Sequence, residues 1–183
     1  MARSNRLLQL ERRLSEIRRA MLPQRFSKTG GYSSRIVDRT RGYLLLAHAE
    51  IEAYVEDVAR DILDDATARW GKINTATKRT IGTVVEEMLK QATERQRARL
   101  QNNHGIKEKN LANIFEPLGI NIAGVDNVWL AAMTSFGSSR GVVAHTSSIG
   151  AMALPDPKDA LKSVHSLILG LRKIDRIAQA KLA

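Results

Sequence analysis

The chain has 183 residues, of which 43% are apolar, 4% aromatic and none cysteine. That is enough apolar side chain for one domain with a real core, and it excludes general disorder. Without cysteine there is no disulfide, thiol nucleophile or thiolate metal site. The net charge of +10, with a pI near 10.3, makes an anionic partner the first to consider.

That charge is uneven. Residues 1–41 carry eleven Arg or Lys against Glu11, Glu16 and Asp38. Residues 50–65 carry Glu50, Glu52, Glu56, Asp57, Asp61, Asp64 and Asp65 against Arg60 alone. Charge by itself does not decide between a nucleic-acid surface and helix faces that attract one another within a dimer. Ala, Leu, Arg, Glu and Lys dominate the composition, which favours helices packed by aliphatic side chains. The N-terminus lacks the apolar stretch of a secretory signal, and the longest aliphatic run, Leu44 to Ala47, is far too short to span a bilayer. A cytoplasmic protein without membrane contact is the expectation.

Ser4 caps a first helix that runs to Leu22, where Pro23 stops it. Leu7, Leu10, Leu14, Ile17 and Met21 form a heptad seam that docks on the chain's own domain or on a second copy. A membrane-surface role is disfavoured because the seam has no Trp or Phe. After a loop containing Gly30-Gly31, a long helix spans Ile36 to Trp70 with its stripe at Leu44, Ala47, Ile51, Tyr54, Val58 and Ile62. His48 falls off that stripe and reads as a surface histidine. The Asn74-Thr75 pair caps a third helix reaching Leu100, with Ile81, Val84, Val85, Met88 and Leu89 as its buried side. Its basic tail, Arg95 to Arg99, suits the C-terminal dipole. His104 lies in a polar loop without ligand-spaced neighbours. Asn110 caps a short helix ending before Pro117, and Asp126 opens another toward His145. The last helix starts at Asp156-Pro157 and carries Leu161, Val164, Ile168, Leu171 and Ile174, with His165 packed at the border of the stripe.

The chemistry concentrates in Ser138-Ser139-Arg140-Gly141-Val142-Val143-Ala144-His145-Thr146. Arg140 shares a face with Met133 and Phe136, so its guanidinium needs a partner, water or an anionic ligand. Five residues of helix turn His145 by about 140° from Arg140. The two side chains therefore line one cleft only if the helix loosens after Ala144, which Gly141 and Thr146-Ser147-Ser148 favour. A purely structural role, with Arg140 on a carboxylate and His145 at the helix end, is the competing reading.

Arg140-x4-His145 in this position, near the end of the penultimate helix of an all-helical bundle, resembles the HEPN superfamily. The nearest likeness is to its RiboL-PSP-HEPN-like branch, whose early helix the segment Leu44 to Tyr54 resembles. The likeness spans roughly residues 36–180. It implies an all-α fold: a HEPN-like helical bundle over residues 35–183, preceded by a basic amphipathic helix and loop over 1–34. It further implies a homodimer in which two copies of the motif form one RNA-cleaving cleft, with Arg140 and His145 catalytic and no metal or cofactor. Many members act as toxins or antiphage effectors, restrained by an antitoxin or other partner protein. Gly141 departs from the family pattern, since active members often carry a polar residue after the arginine. A catalytically weak or inactive RNA- or nucleotide-binding module is therefore one alternative reading, and a helical protein-interaction subunit whose basic N-terminal arm docks an acidic partner is another. Glu50 is a candidate to hydrogen-bond into the cleft.

Overall fold

The computed structural model describes residues 3–145 and 155–183, without the side chains of Ile81 and residues 141–145. Every regular element among them is helical: α1 (Asn5–Met21), α2 (Ser34–Gly71), α3 (Thr75–Ile81), α4 (Thr83–Gln101), α5 (Glu108–Phe115), α6 (Asn127–His145) and α7 (Pro157–Leu182), with a 3-10 turn at Glu116–Leu118. The expected all-α bundle is what forms. None of the described helices is long and apolar enough to cross a membrane.

The 38-residue α2 is the axis of the bundle, and α1, α4, α5, α6 and α7 all pack against it. Its stripe residues Ala47, Ile51, Tyr54, Val58 and Ile62 are buried, and so are Tyr43, Val55, Ala59 and Leu63 on neighbouring faces. A helix enclosed by several others is apolar around most of its girth. Ser4 caps α1 by accepting from the Leu7 amide, and Asp156 caps α7 by accepting from the Lys158 and Asp159 amides. Asp126 does the same for α6, from the Val128 and Trp129 amides at 3.0 and 3.1 Å.

The seam of α1 is satisfied within the chain: Leu7, Leu10, Leu14 and Ile17 enter the same core as α2 and α7. The oppositely charged segments meet along this contact. Arg6 holds Asp57 and Asp61, Arg13 reaches Glu50 at 2.9 Å, and Arg172 of α7 reaches Glu11 at 2.8 Å. All of these side chains are partly exposed, so solvent screening leaves each pair a weak contributor to stability. Their larger effect is on the surface potential, because the basic N-terminal helix partly neutralises the acidic stretch of α2 instead of facing solvent unopposed.

Three sequence expectations are corrected. The third helix is broken at Gly82, whose φ of +87° suits glycine alone, into α3 and α4. The side of α4 expected to be buried is instead exposed, with Val84 at 71% and Met88 at 63% of full accessibility. The residues of α4 that are buried are Gln96 and Leu100, and the Gln96 amide donates to the Ile114 carbonyl at 2.8 Å. The cap of α5 is Lys107, not Asn110, whose amide donates to Asn103 Oδ1 at 3.2 Å. Glu108 to Phe115 is then held by burying Leu111, Ile114 and Phe115.

Candidate functional site

α6 crosses α2 with Met133 and Phe136 buried between them, and this brings Arg140 over the middle of α2. The partner that the sequence demanded for the guanidinium is Glu52: Arg140 Nη1 lies 3.3 Å from Glu52 Oε2. Glu50 does not serve, because it is turned one face away and is bound to Arg13. The Arg140 side chain remains 44% exposed, so the cation is anchored on one side and open to solvent on the other.

Beneath this ion pair lies His48, 1% exposed, its ring stacked on Phe136 with centroids 6.0 Å apart. The surface histidine expected from the sequence is therefore a core residue. One turn of α2 separates it from Glu52, and His48 Nδ1 stands 3.6 Å from the same Oε2 that Arg140 engages. That separation is too long for a hydrogen bond. Both ring nitrogens of His48 and the second carboxylate oxygen of Glu52 are buried with no hydrogen-bond partner among the described residues. Three orphaned polar atoms in one spot are unusual, since nearly all buried polar groups are paired. The cluster is electrostatically frustrated. Burial, and then the nearby Arg140 cation, push the His48 imidazole down to about 4. Burial lifts the Glu52 carboxyl above its ordinary range against the opposing pull of Arg140.

A pH effect follows. In the unfolded chain an imidazole takes up its proton near pH 6.5, whereas folded His48 stays neutral until about pH 4. Stability from this group is thus complete above pH 6.5 and is lost as the pH falls from 6.5 toward 4. At pH 5 the loss is about 2 kcal/mol relative to pH 8. Glu52, with its raised value, works in the opposite sense at the acid end of this window. Urea midpoints of the parent and of His48→Leu at pH 8 and pH 5 check the assignment. The parent should weaken markedly at pH 5 and the variant much less, and equal slopes would remove His48 as the cause.

His145 is the last residue of α6. Its side chain lies outside the described residues, as does the loosening expected around Thr146-Ser147-Ser148. Of the other histidines, His104 is exposed and adds only a minor coulombic pull on Glu52, and His165 is exposed, against the packed position expected for it. The residues that sequence reading passed over are thus His48 and Glu52. Their signal was the i, i+4 spacing that sets both toward α6 once α2 is recognised as enclosed on more than one face. Chemically, the arrangement offers a solvent-reaching guanidinium, a carboxylate that fixes it and a neutral imidazole behind them. No family model, curated protein or solved structure matches this chain.

Proposed function

We propose that the chain is a HEPN-type endoribonuclease working at a cleft shared by two protomers, in the manner of a toxin or antiphage effector. The observation that supports this best is the Arg140–Glu52 ion pair, which holds a half-exposed guanidinium on α6 five residues ahead of His145. In this reading Arg140 takes a phosphodiester oxygen through its paired N–H donors and stabilises the charge that builds up in the transition state. His145 moves protons: it accepts one from the ribose 2′-hydroxyl or delivers one to the departing 5′-oxygen. The O2′–P bond forms as the P–O5′ bond breaks, leaving a 2′,3′-cyclic phosphate and a 5′-hydroxyl. A second protomer supplies the other arginine and histidine, which makes a homodimer part of the reading.

Arg140→Ala and His145→Ala should each abolish cleavage of RNA in EDTA while circular dichroism and oligomer mass stay unchanged. A His145→Ala protein as active as the parent would remove the catalytic assignment. Gly141 favours a second reading, a module that holds RNA or a nucleotide without turnover. Such a module binds RNA with an affinity that falls steeply with salt and leaves the strand intact.

A further inference from the structure

Residues 83–92, the first half of α4, are exposed at every position, and the preceding α3 is exposed at all of its described positions except the half-buried Lys78. Together they form an arm that projects from the bundle at the C-terminal end of α2. The arm is amphipathic: Val84, Met88 and Ala92 recur at helical spacing along one flank, with Val85 and Leu89 beside them. Between this half of α4 and residues Ala66, Thr67 and Trp70 of α2 lies an open groove of about 1100 Å³. A helical stretch of this length with an uncovered apolar side is marginal by itself in water.

The charge pattern of α4 says what covers it. Glu86 and Glu87 lie toward its start and Arg95, Arg97 and Arg99 toward its end. Arg97 is engaged by Asp64 of α2 at 3.2 Å, whereas Arg95 has no hydrogen bond or ion pair among the described residues. On the helical wheel Arg95 shares the flank of Val84 and Met88. We infer that this flank is an interface between two copies of the chain, with their α4 helices antiparallel about a two-fold axis beside Gln91. That register sets Glu87 of each copy level with Arg95 of the other, Met88 level with its Glu94 and Val84 level with its Ala98. A parallel pairing would bring like charges together at both ends. A two-fold contact of this kind is self-complementary and closes on itself. It is separate from the contact required for ribonuclease action, since Ala66 lies 14 residues along α2 from Glu52, or about 21 Å.

The chain contains no cysteine, so a single introduced thiol reports without ambiguity. Gln91→Cys, next to the axis, should oxidise to a disulfide-linked dimer at micromolar protein, while Ser166→Cys on the exposed side of α7 should not. Adding Met88→Glu to Gln91→Cys should abolish the cross-link. Met88→Glu alone should halve the mass measured by light scattering, with the helical circular dichroism retained. A mass unaffected by Met88→Glu, or cross-linking at 91 no greater than at 166, overturns the interface. Neither readout involves RNA, so failure here leaves the ribonuclease reading untouched.

Discussion

Replacing Gly170 by alanine should destabilise the protein by about 3 kcal/mol, even though alanine is the better helix former by about 1 kcal/mol. The reason is steric. A Cβ at position 170 of α7 would stand 2.2–2.3 Å from three atoms of the Trp129 indole, well inside any permitted contact. The ring cannot slide away cheaply, because its Nε1 donates to the Leu167 carbonyl at 2.9 Å and the residue is 5% exposed. Relief requires α6 and α7 to separate or the indole to leave its seat, and either loses the hydrogen bond and much of the packing. The urea midpoint should fall by roughly 1.5 M for a chain of this size. The double variant Gly170→Ala with Trp129→Leu should be no worse than Trp129→Leu alone, since the clash is then gone. A Gly170→Ala protein more stable than the parent would show that the indole does not sit there.

The second large effect is expected at Asp175. This carboxylate is 2% exposed and has no basic partner within salt-bridge distance among the described residues. It is held by hydrogen bonds alone: from the Ser4 amide at 3.0 Å, the Ser4 hydroxyl, the Tyr54 hydroxyl at 3.1 Å and the Gln179 amide at 2.7 Å. It therefore joins the start of α1 to the middle of α2 and the end of α7, and it fixes the serine that caps α1. Asp175→Ala strands several buried donors at once, at a cost of about 3–5 kcal/mol. Asp175→Asn keeps the shape and one acceptor and should cost clearly less. The Tyr54 phenol, driven upward by burial and then by this carboxylate, stays protonated throughout and keeps donating. Thermal unfolding of the two variants provides the comparison, and equal melting temperatures for Asp175→Ala and the parent would deny the hub its role.

Much of this architecture is legible in the sequence because local signals and burial agree. Ser4, Asp126 and Asp156 cap where their side chains say they should, and the stripes of α1, α2 and α7 point into the core. The errors come from tertiary context. The apolar side of α4 has the right period for a buried helix, yet period alone does not state whether anything lies opposite it, and Val84 and Met88 face solvent. Gly82 breaks the helix by a positive φ that a single glycine in a helical pattern leaves open. His48 looked superficial because α2 was given one stripe, whereas a central helix has several. At the candidate site Arg140 could be singled out by the cost of burying a cation, but its partner could not. Glu50 and Glu52 differ by two residues and nearly half a helical turn, and only the path of α6 across α2 chooses between them.

The placement of the two indoles has a practical consequence. Trp70 closes the C-terminal end of α2 beside the α4 groove, with Lys78 Nζ 6.0 Å from its ring, whereas Trp129 is clamped between α6 and α7. The chain has no other tryptophan, so its intrinsic emission should divide into a red, quenchable component from the end of α2 beside the arm and a blue, shielded one from the helix that carries Arg140. Covering of the arm and loosening of α6 would then register as separate changes in one unlabelled spectrum, with Trp70→Phe and Trp129→Phe assigning the two bands.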